Sequence, residues 1–108
     1  MSYTVGPMTE AMYYVLLTLM YPNHGYQLMQ EISEISGGRV KMGPGTLYGL
    51  LNRIEEEGLI AKESDDGRRK TYRITLYGKE QLYKEYERLN RMISDGKIIG
   101  DWRPGSVK

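Results

Sequence analysis

The amino-acid sequence predicts a mainly α-helical fold that carries one β-hairpin. Three observations predict it. Apolar residues recur at helical spacing in three successive segments, built around Met12, Leu28 and Leu47. The period then falls to two on either side of Asp65-Asp66-Gly67-Arg68, where Asp-Gly supplies the positive φ of a tight hairpin turn. A last seam, Leu82, Tyr86, Leu89 and Ile93, returns to helical spacing.

The first helix starts at Thr9, a capping residue, with Glu10 favourably placed in the first turn. Met12, Val15, Leu16 and Leu19 form its inner face. Pro22-Asn23-His24-Gly25 reads as a turn. The second helix carries Leu28, Ile32 and Ile35 on one side and stops at Gly37-Gly38. Pro44 suits the first position of the third helix, where its missing N–H costs nothing. Leu47, Leu50, Leu51 and Ile54 give that helix its apolar face. Gly58 caps it, and Leu59 stands where a Schellman motif places its hydrophobic contact. In the second strand Tyr72 and Ile74 point inward, and Thr71, Arg73 and Thr75 outward. Thr75 caps the last helix. From Gly96 onward the glycines and Pro104 predict an irregular, frayed tail.

Composition excludes several functions. The chain has 108 residues, enough for one domain with one core. It has no cysteine, so disulfides and thiolate-ligated metals are excluded. His24 is the single histidine and reads as a structural turn or helix-start residue in preference to a catalytic or metal-binding one, and no metal-ligand spacing is present. The run Glu55-Glu56-Glu57 spreads its carboxylates around a helix and reads as a solvated face. No apolar run is long enough to span a bilayer, and no leader pattern opens the chain, so a soluble cytoplasmic protein is expected. No catalytic residue, metal or cofactor is assigned.

The glycines Gly43, Gly45 and Gly49 raise the possibility of a phosphate cradle. The Walker pattern requires a Gly-Lys-Ser/Thr ending that is absent, and a dinucleotide fingerprint requires different spacing after a buried strand. Helix geometry offers another role. Opposite the apolar face of the third helix lie Gly45, Gly49, Asn52 and Glu56, flanked by Tyr48 and Arg53. Two glycines there either let two helices cross inside the protein or let the backbone come close to a partner. Asn and Arg have the geometry to read adenine and guanine in a major groove, and a free helix N-terminus, with the Thr46 hydroxyl, suits phosphate.

Net charge is only +1, but its distribution is uneven. One basic island, Arg39, Lys41 and Arg53, surrounds the start of the third helix with no acid between. A second, Arg68, Arg69, Lys70 and Arg73, lies at and after the hairpin turn. Helix, helix, helix, hairpin, helix is the order of a winged helix-turn-helix, in which the third helix enters DNA and the hairpin, or wing, meets the flanking backbone. Both islands fall on those two elements. The expected function is therefore sequence-specific binding of double-stranded DNA. The alternative is a winged helix used as a protein-interaction module without DNA affinity.

The sequence also resembles the PadR family of transcriptional regulators. The resemblance rests on His24-Gly25-Tyr26, on Gly45-Thr46-Leu47-Tyr48, on Leu50 through Ile60, and on Gly67-Arg68-Arg69-Lys70-Thr71-Tyr72-Arg73-Ile74-Thr75. It implies a dimeric winged-helix repressor of the short type, often tuned by a small molecule. It also implies that Tyr48 belongs to the recognition helix, that Arg68, Arg69 and Lys70 form the basic wing, and that Tyr26 lies near the DNA backbone. Before the third helix this chain has Met42-Gly43-Pro44 where many members have a polar residue.

The full expectation is a winged helix-turn-helix over residues 1–76, a C-terminal dimerisation helix over 77–95 in the same compact unit, and a flexible tail over 96–108. DNA contact is assigned to Tyr26, Lys41, Gly45, Thr46, Tyr48, Gly49, Asn52, Arg53, Arg68, Arg69 and Lys70. Homodimerisation, with a roughly palindromic operator, is assigned to Leu82, Tyr86, Leu89 and Ile93. Met8, Met12, Val15 and Met92 are candidates for an adaptable apolar pocket at the dimer interface, with Trp102 stacking on a small apolar or aromatic effector; the alternative for them is core and tail packing.

Overall fold

Helix α1 (Glu10–Thr18) begins where its cap predicts: the Thr9 hydroxyl accepts the Met12 N–H at 3.1 Å. Met12, Val15, Leu16 and Leu19 all point into the core. The computed structural model describes residues 6–105; residues 1–5 and 106–108, the outer ends of the expected domain and tail, lie outside it.

The expected turn after α1 is instead a short strand, β1 (Asn23–His24). Its backbone pairs antiparallel with a later strand, Asn23 opposite Tyr72 and His24 opposite Thr71. The buried Asn23 side chain holds it there, accepting the His24 N–H at 2.9 Å and donating to Glu31 at 3.0 Å. Helix α2 (Gly25–Ile35) buries Leu28 and Ile32, but Ile35 faces outward, 54% exposed. At that end the core is closed instead by Val40, whose N–H donates to the Ser36 hydroxyl at 3.0 Å. Gly37, at φ +64°, ends α2 in a Schellman turn, with Gly38 N–H bonded to Ser33 C=O at 2.7 Å.

Helix α3 (Pro44–Glu56) has Pro44 in its first turn and buries Leu47, Leu51 and Ile54, with Leu50 half-buried. Gly58, at φ +80°, turns the chain, and the Leu59 N–H closes the cap on the Ile54 carbonyl at 3.0 Å. Strands β2 (Ile60–Asp65) and β3 (Lys70–Ile74) form the hairpin, with a bulge between Lys62 and Ser64, and the sheet order is β1-β3-β2. Tyr72 and Ile74 are buried and Arg73 is exposed, as the alternation requires. The Ile74 N–H donates to the Leu19 carbonyl at 2.9 Å, tying the end of α1 to the end of β3.

Helix α4 (Leu76–Asp95) runs for 20 residues. Its expected seam is split: Leu82 is buried in the chain's own core, whereas Tyr86 and Ile93 are 51% and 73% exposed. Beyond it the expected frayed tail opens instead with a 3-10 turn (Gly96–Ile99), followed by Gly100 at φ +61°. Among the described residues no helix is long and apolar enough to cross a membrane.

Two contacts fix α4. At its start the Thr75 hydroxyl accepts the Gly78 N–H at 2.9 Å and donates to the Gly58 carbonyl at 2.7 Å, while the Thr75 N–H donates to the Leu59 carbonyl at 3.0 Å. Gly78 lies so close that a Cβ there would overlap the Leu59 carbonyl and stand 2.7 Å from Ile74 Cγ1. Further along, the buried Glu85 carboxylate accepts from Arg88 Nε at 2.8 Å and from the Met8 N–H at 3.3 Å. Arg88 holds Glu85 below the usual carboxylate range, against the opposing effect of burial.

Gly78→Ala is expected to destabilise the fold by about 1–3 kcal/mol, the usual cost of overpacking, read as a lower urea midpoint. The Glu85 carboxylate gives a second prediction. Because its folded pKa is depressed, its contribution is complete above its unfolded value of about 4.3 and is lost as pH falls through the folded value. The stability gap between wild type and Glu85→Gln, measured by urea denaturation, is therefore expected to be widest near neutral pH and to close in acid.

Candidate nucleic-acid interface

Three elements meet on one side of the molecule. The start of α2, the outer face of α3 and the tip of the β2–β3 wing enclose a cleft of about 260 Å³ lined by His24, Gly25, Tyr26, Tyr48, Arg68, Arg69 and Lys70. Of the residues assigned to DNA, the structure thus gathers Tyr26, Tyr48, Arg68, Arg69 and Lys70 around one opening. Gly45, Thr46, Gly49, Asn52 and Arg53 are exposed along α3, and Lys41 is exposed in the segment before it.

The glycines of α3 are not packing residues. A Cβ built on Gly45 or Gly49 meets nothing within 4 Å, so the internal helix crossing is ruled out and the thin face opens outward. No side chain caps the N-terminus of α3 at Gly43. The first turn therefore presents backbone N–H donors and the positive end of the helix dipole beside Thr46 and Lys41. The glutamates Glu55, Glu56 and Glu57 lie at the opposite end.

Tyr48 is set by a contact that sequence spacing does not reveal. Its ring packs on Gly25, where any Cβ would stand 2.7 Å from the Tyr48 ring carbon that bears the hydroxyl. The glycine that opens α2 thus makes room for the tyrosine of α3. In the sequence His24-Gly25 reads as a turn and the start of the second helix, and the contact with Tyr48 is not legible, because a contact between two helices leaves no local period.

The wing tip is organised by two aspartates. Asp65 accepts the Gly67 N–H at 2.9 Å, and Asp66 accepts the Arg68 and Arg69 N–H groups at 3.0 and 2.8 Å. These backbone bonds, Arg69 first and Arg68 next, hold the Asp66 carboxyl below its usual range, so it remains an acceptor at neutral pH. The arginine side chains take no part in these bonds. Arg39, Lys62, Arg73 and Arg88 are in ion pairs, with Glu10, Asp65, Glu63 and Glu85. Lys41, Arg53, Arg68, Arg69 and Lys70 form none among the described residues.

The proposed effector residues are not brought together. Met12 and Val15 belong to the closed core, at 5% and 0% exposure, which corrects their assignment to an open pocket. Met8 is half-buried near Glu85, Met92 lies beside Arg88, and Trp102 is on the tail. The chain has instead a separate apolar groove of about 340 Å³ between α1 and α4, lined by Tyr13, Leu17, Met20, Lys79, Leu82, Tyr83 and Tyr86.

Comparison with known proteins agrees with this geometry. Residues 15–84 match the model of the transcriptional regulator PadR-like family. The transcriptional regulator Rv3488 of Mycobacterium tuberculosis is 42% identical over 75 residues, covering 67% of each chain. A 37.1 kDa protein of transposon TN4556 from Streptomyces fradiae is 37% identical over 86 residues; the match covers 80% of this chain and 24% of that protein. The crystal structure of a PadR family transcriptional regulator from Eggerthella lenta superposes with a TM-score of 0.72 at 29% identity, covering 85% of this chain and 83% of the other.

Asp66→Ala is expected to speed amide hydrogen exchange at Arg68 and Arg69 severalfold, whereas Asp66→Asn, which keeps the acceptor oxygen, leaves it near wild type. Wild-type exchange at Arg68 and Arg69 in Asp66→Ala would show that the Asp66 side chain does not order the wing.

Proposed function

The chain belongs to the PadR-like family of transcriptional regulators, and on that footing we propose that it is a repressor that binds a pseudo-palindromic operator as a homodimer. The observation that carries this reading is the convergence of unpaired cations and a side-chain-free helix edge on one surface. In the proposal Gly45 and Gly49 let the α3 backbone enter a major groove. Tyr48, Asn52 and Arg53 meet base edges and the groove wall there. The N-terminus of α3, with Thr46 and Lys41, takes one phosphate, and Tyr26 lies over the adjacent backbone. Arg68, Arg69 and Lys70 reach the flanking phosphates from the wing. Two copies related by a two-fold axis would present their α3 helices to successive grooves about 34 Å apart. Relief by a small apolar or aromatic effector belongs to the same reading, supported by the apolar groove between α1 and α4.

The roles of wing and helix separate experimentally. The double variant Arg68→Ala/Arg69→Ala is expected to weaken binding to every sequence alike. It is also expected to lower the slope of log K against log salt by about 0.9 for each phosphate that is no longer neutralised. Asn52→Ala is expected to cost about 1–3 kcal/mol of discrimination at one base position and to leave the salt slope unchanged. Fluorescence anisotropy with promoter DNA and scrambled DNA, over a salt series, reads both. Wild-type salt dependence in the arginine double variant would remove the wing from the interface. No wild-type affinity for either DNA would favour the protein-interaction module.

A further inference from the structure

Of the thirteen glycines in the chain, only Gly25 and Gly78 stand where an added Cβ would overlap a neighbour. At Gly78 that neighbour is backbone, the Leu59 carbonyl, so the glycine serves the fold. At Gly25 it is the far end of one side chain. A Cβ there would overlap the Tyr48 hydroxyl oxygen and stand 2.7 Å from Cζ and 3.0 Å from Cε1 of the same ring. The backbone does not require a glycine at this position. Gly25 is the first residue of α2, and its φ is outside the left-handed region. Where φ is ordinary, alanine is at least as favourable as glycine, because it restricts the unfolded chain more. What glycine supplies at position 25 is therefore space, and Tyr48 fills it.

The seat is fixed from both sides. Gly25 directly follows β1, whose Asn23 and His24 pair with Tyr72 and Thr71 of β3. That strand begins at Lys70, so the glycine is tied to the base of the wing. On the other side Tyr48 follows the fully buried Leu47, and its Cα cannot shift without disturbing the close-packed core. Between these two backbones the ring docks its hydroxyl end on the glycine. It remains 42% exposed, and it opens onto the cleft that Arg68, Arg69 and Lys70 also line. Because the overlap involves the far end of a partly exposed side chain, an alanine at position 25 displaces the ring and leaves the core in place.

We propose that Gly25 is a positioning residue for the recognition of DNA sequence: the space it leaves sets the orientation of the Tyr48 ring against the groove and its distance from the wing. The proposal rests on the DNA-binding reading above and adds to it a residue that touches no base. Its effect on specificity runs through Tyr48 alone. The first residue of α2 thereby keeps the tyrosine of α3 in register with the cations of β3, three elements that meet DNA as one surface.

A double-mutant cycle on the full chain tests this. The readout is the ratio of affinities for promoter DNA and scrambled DNA, by fluorescence anisotropy over a salt series. Gly25→Ala is expected to lower that ratio about tenfold, with the salt slope and the urea midpoint near wild type. Tyr48→Ala is expected to lower it by a similar factor, and Gly25→Ala/Tyr48→Ala no further than Tyr48→Ala alone. In spectra of protein labelled with 13Cε-tyrosine, the Tyr48 ring signal, identified by its absence in Tyr48→Phe, is expected to move in Gly25→Ala. A wild-type ratio in Gly25→Ala, or an unmoved Tyr48 signal, overturns the proposal and leaves the DNA-binding reading standing. An equal further loss when Gly25→Ala is added to Tyr48→Ala also overturns it, since the glycine then acts without the tyrosine. If Gly25→Ala unfolds, the double variant is expected to refold, because the ring that overlaps the new Cβ is gone; a double variant that stays unfolded overturns the proposal. No wild-type affinity for either DNA overturns the DNA-binding reading, and the proposal with it.

Discussion

The Leu59 carbonyl is the point on which the rest of the fold depends. It lies where α3 has just ended, β2 is about to begin, β3 has ended and α4 starts. The Thr75 N–H donates to it, and Gly78 packs against it with no room for a side chain. Gly58 delivers the carbonyl there, because its left-handed φ turns the chain out of α3. Thr75 then does two jobs with one hydroxyl, accepting from Gly78 and donating to Gly58. A carbonyl buried beside a helix start would be costly if left unpaired. Its pairing locks the departure angle of α4 to the end of α3. The orientation of α3, with its open glycine edge, and that of α4 are thereby set by one backbone junction.

Much of this was legible in the sequence, for reasons that differ by element. The caps at Thr9 and Thr75 are local chemistry, since side chain and backbone partner lie within one turn. The Schellman ends at Gly37 and Gly58 are local too, because positive φ selects glycine. The hairpin was legible from Asp-Gly and from the alternation that places Tyr72 and Ile74 inward. What escaped was non-local. Two residues carry no period, so β1 exists only because β3 offers it an edge. Ile35 continues the apolar spacing of α2, yet it lies beyond the point where Val40 closes the core. The placement of Tyr48 on Gly25 needs the fold to bring two helices together. Methionines at helical spacing did not distinguish core from pocket, and Met12 proved to be core.

Charge is sorted by the fold in a way that net charge conceals. Arg39, on the first basic island, is held by Glu10 and Tyr14, so it braces α1 against the segment after α2. Arg73, on the second, pairs with Glu63 across the wing at 3.1 Å. Each island thus gives one member to structure and leaves the others to the outer surface. The aspartates of the wing follow the same division. Asp66 is engaged by backbone N–H groups, and Asp65 by the Gly67 N–H and Lys62, so neither is bonded to the arginine side chains at the tip. Surface ion pairs at these exposures add little stability, so their larger effect is to decide which cations stay available.

The strand order β1-β3-β2 leaves β2 with one side of its backbone unpaired. Such an edge invites another extended chain to add to it, which is how sheets begin to aggregate. Here the edge is a poor template. Lys62, Glu63, Ser64 and Asp65 are all exposed on it, and the bulge at Lys62 and Ser64 breaks its register. The opposite edge is only two residues long. The wing, open on one side of its sheet, is thus kept from pairing with its own kind.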